Sequence, residues 1–259
     1  MPTREYWRAP WVWRAQLRLA AAAVAAVARL RVTGEVPEHL RRGPLILAAN
    51  HISPLDPAIL AAACGTRDIA PRIMATGGLF RAPVVGSIMR ASGHIRVDRS
   101  STTVARALDA AAAAVAAGSV VLVYPEGRIG LDPGLWPERG KTGAARLALA
   151  SGAVVIPVAQ WGAHELIPYD TTVRGVLRGL GRAVRRRPAL RVHFGDPVDL
   201  SGLALNAPGH AQRGTERIIE AITATLRPLR PDEPDLPRHL DPTRPTNLAR
   251  SSFQREKDD

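Results

Sequence analysis

His51 and Asp56 stand five residues apart in Asn50-His51-Ile52-Ser53-Pro54-Leu55-Asp56, directly after the apolar run Leu45-Ile46-Leu47-Ala48-Ala49. Neutral imidazole takes up a proton readily near pH 7. A carboxylate that binds one ring nitrogen leaves the other facing a substrate hydroxyl. These two residue types therefore suit a general base and its orienting group. The apolar run reads as a buried strand, so both side chains fall on the loop at a strand end. Alone, a His/Asp spacing is common in chains of this length, and a strand-end histidine satisfied by backbone is the plain alternative.

Val120-Val121-Leu122-Val123-Tyr124 is a second β-rich apolar run, followed at once by Pro125-Glu126-Gly127-Arg128. At this point the chain resembles the glycerolipid acyltransferases, the family of 1-acyl-sn-glycerol-3-phosphate acyltransferase. That family carries N-H-x4-D, then G-x-I-x-V-D-R, then P-E-G-T-R, then an apolar strand ending in I-P-V. Here the blocks are Asn50 to Asp56, Gly93-His94-Ile95-Arg96-Val97-Asp98-Arg99, Pro125 to Arg128, and Val154-Val155-Ile156-Pro157-Val158. They keep the family's order and its strand-then-loop context, between about Leu45 and Gly162.

The resemblance implies direct transfer of a fatty acyl group from acyl-CoA or acyl-carrier protein to the free hydroxyl of lysophosphatidate, giving phosphatidate. It implies no cofactor beyond the thioester co-substrate. A hydroxyl attacking a thioester must lose its proton as the C–O bond forms. His51 is the expected base and Asp56 its orienting partner. No G-x-S-x-G elbow is present, in keeping with transfer that skips an acyl-enzyme. Arg128, and after it Arg99, are the candidates for the acceptor phosphate, because guanidinium offers a fixed donor fork. A surface ion pair is the alternative for each, and more so for Arg96. Glu126 is expected to accept from an acceptor hydroxyl or to orient Arg128, and Gly127 to permit close backbone approach.

Two departures fall where the acceptor headgroup should bind. The threonine of E-G-T-R is missing, so Arg128 comes one place early. The basic residue the family commonly has before Leu-Phe in its second block is replaced by Gly77 and Gly78, ahead of Leu79-Phe80. The acceptor is therefore open to other lysophospholipids, a glycolipid or an aminolipid.

The elements that must position these residues alternate between strand and helix. Strands are expected at Leu45–Ala49, Ile69–Met74, Ile95–Val97, Val120–Tyr124, Val154–Val158 and Leu190–Phe194. Helices are expected at Pro57–Cys64, Pro83–Ala91, Thr102–Ala117, Thr142–Ser151 and Gln212–Leu226. Unbroken apolar strands alternating with helices predict an α/β fold, a mostly parallel sheet flanked by helices. Loops at the carboxyl ends of its strands are then the natural place for chemistry.

Three segments are expected: an N-terminal interfacial helix over residues 1–34, an acyltransferase domain over 35–227, and a charged tail over 228–259. Six prolines from Pro228 to Pro245 punctuate that tail, which should be extended or disordered. An amphipathic N-terminal helix is expected from Pro10 to about Arg31. At roughly 100° per residue, Arg14, Arg18 and Arg29 share one side, and Val12, Leu17, Val24, Val27 and Leu30 the other. Trp7, Trp11 and Trp13 at its start favour a bilayer interface over simple packing on the domain. Arg174, Arg178, Arg182 and Arg185 form a second basic stripe, opposite Val173, Val176, Leu177, Leu180 and Val184. It reads equally as a membrane contact or a solvated face, in a helix weakened by Gly175, Gly179 and Gly181.

The net charge of +12 over 259 residues is carried almost wholly by arginine, with Lys141 and Lys257 the only lysines. Abundant alanine points to a compositional share in that bias. The remainder favours an anionic partner, here an anionic membrane surface. A non-catalytic module binding nucleic acid or membrane is the rival from another class. Aromatic residues make up only 4% of the chain, and no nucleic-acid motif is present, so no nucleic-acid partner is expected. Cys64 alone excludes an intrachain disulfide, and the remaining histidines lack metal-site spacing, so no metal is expected. Gly140-Lys141-Thr142 lacks the earlier glycine of a phosphate loop. The resemblance instead places Lys141 at a helix start near the active face. No apolar run approaches the ~18–20 residues needed to cross a bilayer. A secretory signal is disfavoured by its alanine-rich centre and by coenzyme A chemistry. The expected location is the cytoplasmic face of the cell membrane, peripheral or monotopic.

Overall fold

The computed structural model describes residues 6–98 and 101–245, with backbone alone at 101–104. Seven strands form one sheet: β1 (Arg29–Thr33), β2 (Leu45–Ala49), β3 (Arg72–Thr76), β4 (Ile95–Val97), β5 (Val120–Val123), β6 (Val154–Trp161) and β7 (Ala189–Phe194). Their order is β1-β7-β6-β2-β5-β3-β4. Every pairing is parallel except β6 with β7. This is the α/β architecture the alternating pattern predicts.

The central strand β2 is buried at all five positions, and its side chains alternate between two cores. Leu45, Leu47 and Ala49 join the core on the side of α1 (Trp11–Val27) and α2 (Asp56–Gly65). Ile46 and Ala48 join the one beneath α5 (Ser101–Ala116), α6 (Gly143–Ser151) and α8 (His210–Leu226). Burial on both faces explains why the run is continuously apolar rather than alternating. Cys64 lies in the first core, and burial pushes its thiol up to about 12. It packs as a small hydrophobe.

Two parts of the expected layout change. The N-terminal helix stops at Val27, and Arg29–Thr33 becomes edge strand β1, parallel to β7. Leu30 and Val32 alternate with more exposed neighbours along it. Strand β3 begins at Arg72 rather than Ile69, because Asp68 takes a left-handed φ of 55° and the Ile69 N–H closes α2 on Cys64 O. Short helices α3 (Gly77–Arg81) and α4 (Pro83–Ala91) then lead to β4.

Helix α7 (Val173–Arg186) forms despite its glycines, with Thr172 accepting from Gly175 N–H at its start. A Cβ at Gly179 would lie 2.2 Å from Leu166 O. That glycine lets the helix lie directly on the backbone after β6. The tail, expected to be extended or disordered, instead starts with a 3-10 turn at Arg227–Leu229 and continues to residue 245 through turns and bends, packing on the domain through Arg230, Asp241 and Arg244. The rest of that segment lies outside the described residues.

Candidate active site

Strands β5, β2 and β6 are neighbours and parallel, so their carboxyl ends meet at one edge of the sheet. Asn50 follows β2 and continues its pairing with β6 through a side chain. Its Oδ1 accepts from Gln160 N–H at 2.8 Å, and its Nδ2 donates to Gln160 O at 3.0 Å. Gln160 Nε2 returns a bond to Asn50 O at 2.8 Å. These bonds satisfy backbone groups that the strand end would leave orphaned, and they fix where the chain turns into His51.

His51 Nδ1 lies 2.8 Å from Asp56 Oδ2. The same oxygen accepts from the backbone N–H groups of Ile52, at 2.6 Å, and Ser53, at 2.8 Å. Asp56 is 0% exposed and opens α2, where the helix N-terminus favours negative charge. A carboxylate holding two amides leaves Nδ1 as the ring's donor, so Nε2 carries the lone pair. Tyr124, at the end of β5, stacks on the imidazole with centroids 4.1 Å apart and planes 20° apart. The ring is thus fixed both in plane and in tautomer.

Glu126 serves the same loop from beneath. Its Oε1 accepts from His51 N–H and its Oε2 from Glu138 N–H, each at 3.1 Å. Burial raises its carboxyl from 4.5 to about 8, against the two amide bonds that lower it. The expectation that Glu126 orients Arg128 is corrected. Arg128 pairs instead with Glu138, whose second oxygen accepts from Leu131 N–H at 2.9 Å. Gly127 has a φ of 69°, and a Cβ there would sit 3.1 Å from the Lys141 side chain. Lys141 thus lies beside the turn, and its N–H donates to Pro125 O. Gly130 N–H donates to His51 O at 2.8 Å.

The second block closes on itself among the described residues. Arg96 Nε lies 2.7 Å from Asp98 Oδ2, with Arg81 3.4 Å from the other oxygen. A Cβ at Gly77 would overlap Asp98 Oδ1 at 1.7 Å, so the family's larger residue does not fit there without movement. Arg99 lies outside the described residues. His164 is buried against Trp161, and burial lowers it to about 3. His94 is lowered to about 4 by burial and by Arg72, and accepts from Ile73 N–H. Both imidazoles are neutral at pH 7.

The sequence reading missed Gln160, Glu138, Asp132 and the two tail arginines. Asp132 Oδ1 accepts from Gly134 and Trp136 N–H, ordering the long loop after β5. Arg230 lies between Trp136 and Trp161, 4.2 Å from each ring. The Asp-Pro-Gly turn signal was available for Asp132. The others act across long sequence separations and leave no local pattern.

Together these residues can take a proton from a hydroxyl at Nε2 and stabilise the resulting imidazolium through Asp56. The 1-acyl-sn-glycerophosphate (LPA) acyltransferase PlsC from Thermotoga maritima has a similar fold, with a TM-score of 0.58. It is 19% identical, over 81% of this chain and 77% of that one. No curated protein matches the chain. The family model described as Acyltransferase matches residues 29–161, from β1 through β6 and more than half of the chain. With the His51–Asp56 loop and the Glu126 turn both inside that span, the chain belongs to the Acyltransferase family.

Proposed function

We propose that this acyltransferase moves a fatty acyl group from acyl-CoA or acyl-carrier protein to the hydroxyl of lysophosphatidate, giving phosphatidate. The observation that carries the reading is the 2.8 Å contact between His51 Nδ1 and the fully buried Asp56. His51 Nε2 removes the hydroxyl proton as oxygen attacks the thioester carbonyl. The new C–O ester bond forms, the C–S bond breaks, and the imidazolium returns its proton to the leaving thiolate. Asp56 stabilises the imidazolium, a role worth about 10⁴ in rate in the serine-protease analogue.

The engagement of Arg128 by Glu138 favours a second reading, in which the same chemistry acts on a lysophospholipid with a substituted phosphate, a glycolipid or an aminolipid. A panel of acceptors with one labelled acyl-CoA tests both. Fastest turnover with lysophosphatidate supports the first reading, and fastest turnover with another acceptor replaces it.

The proposed setting is the cytoplasmic face of an anionic membrane, with the protein peripheral or monotopic. No helix among the described residues is long and apolar enough to cross a bilayer. Helix α1 turns Trp13, Leu17 and Val24 inward, while Trp11 and Leu19 remain exposed. Helix α7 does the reverse. It buries only Gly179 and Ala183, leaving Val173 76% and Leu177 64% exposed. Five arginines and no acid lie along it. An outward apolar stripe flanked by arginines suits a headgroup region, so α7 is the proposed main membrane contact.

A further inference from the structure

Residues 228–245 leave α8 and run back over the loops at the carboxyl ends of β6, β5 and β2. Arg230 anchors the start, with Nη1 donating to Gly134 O at 2.5 Å and Nε donating to Glu233 O at 2.7 Å. Trp161 Nε1 donates to Glu233 Oε1 at 3.3 Å. A second clip holds the far end. Asp241 Oδ2 accepts from Tyr169 N–H, and Thr243 Oγ1 accepts from Asp170 N–H at 3.0 Å.

Between these loops lies Arg244. Its Nη1 donates to Gly130 O at 2.5 Å and its Nη2 to Ile52 O. The Tyr169 ring lies 5.3 Å from its guanidinium carbon. Ile52 directly follows the proposed base, and Gly130 follows the Glu126 turn. Gly130 N–H already holds His51 O, and Glu126 already holds His51 N–H. The fork of Arg244 adds the outer tie, joining the two loops through one carbonyl from each. Two charged donors in a rigid plane suit this task, because neither carbonyl then depends on water.

We infer that Arg244 is a positioning residue for acyl transfer, locking the loop that carries His51 to the loop that carries Glu126. The inference rests on the proposed role of His51 as base. Its physical basis is that small displacements of a reacting group are expensive in rate, up to about a hundredfold for 1 Å. The tail thereby completes the site from 188 residues downstream of Asp56.

The test uses the full chain as wild type, Arg244→Gln and Arg244→Lys. Turnover and KM for acceptor and acyl-CoA are measured beside hydrogen exchange of peptides covering residues 50–56 and 126–131. In Arg244→Gln, kcat should fall about tenfold to a hundredfold, with both KM values within about threefold. Exchange should quicken in those two peptides and stay unchanged in β6 and β7. Arg244→Lys should recover part of both, since a point charge holds one carbonyl at a time. Wild-type kcat or wild-type exchange in a folded Arg244→Gln protein would overturn the inference. If that variant does not fold, wild-type values in Arg244→Lys overturn it instead. If wild type and His51→Ala prove equally active, the base assignment fails, and the exchange data still decide whether Arg244 ties the loops.

Discussion

Glu126, on the loop after β5, accepts the backbone N–H of His51, on the loop after β2, at 3.1 Å. The residue that the sequence placed among substrate-binding groups is thus also a brace for the proposed base. Its other oxygen braces Glu138, which in turn holds Arg128. Glu126, Glu138 and Arg128, all on one loop, are thus linked in series to the position of one imidazole.

The burial of Glu126 has a pH signature. Its carboxyl rises from 4.5 to about 8, so the folded protein keeps a proton that the unfolded chain releases above 4.5. Between those values stability should fall as pH rises, by up to about 1.4 kcal/mol per pH unit from this group. Glu126→Gln removes that contribution. His94 and His164, lowered from 6.5 to about 4 and about 3, act in the opposite sense. They are present in both proteins and cancel in the comparison. As pH rises from about 5 to about 8, the urea midpoint of the wild type should decline relative to that of the variant. Parallel curves would show that Glu126 is ionised throughout.

The strand-then-loop frame of the site was legible because its signals are local. Apolar runs ending in Asn50-His51 and Tyr124-Pro125 mark β2 and β5, and buried parallel strands put both ends at one edge. Strand β1 was hidden because Leu30 and Val32 continue a helical period out of α1 as readily as they start a period-two strand. Only pairing with β7, some 160 residues away, decides between them. Gln160 looks like an interruption of β6 until its bonds to Asn50 are seen. The tail reads as a proline-punctuated linker, yet Arg230 and Arg244 satisfy carbonyls on loops that their own sequence neighbourhood does not reveal.

Arg128 is the site's conditional element. If it binds the acceptor phosphate, it does so while paired with Glu138. Arg128→Ala should then raise the KM for lysophosphatidate roughly tenfold to a hundredfold, the equivalent of ~1.5–3 kcal/mol, with kcat retained. Arg128→Lys should recover only part. An unchanged KM would assign Arg128 to the loop brace alone and strengthen the reading with a different acceptor.

Membrane contact is best tested on α7. Removing the first 31 residues would also tear out part of β1, so its effect would not be specific. Substituting Leu177→Asp, Arg174→Gln and Arg178→Gln alters only exposed positions. Two arginines at about 1 kcal/mol each correspond to roughly thirtyfold weaker binding to anionic vesicles, before the loss of Leu177 is counted. High salt should weaken the wild type in the same direction. Vesicle co-sedimentation unchanged by the triple substitution would assign the attachment to another surface.

Turnover of purified His51→Ala addresses the central claim most directly. His51 lies on a loop, and its ring contacts are with Asp56 and Tyr124, so the variant should fold with a circular dichroism spectrum like that of wild type. Asp56→Asn is the companion, expected to lose up to about 10⁴ in kcat through the wrong ring tautomer, with KM little changed. With labelled acyl-CoA and the best acceptor of the panel, His51→Ala should give no acyl ester above the uncatalysed background. Wild-type turnover in folded His51→Ala protein would contradict the account.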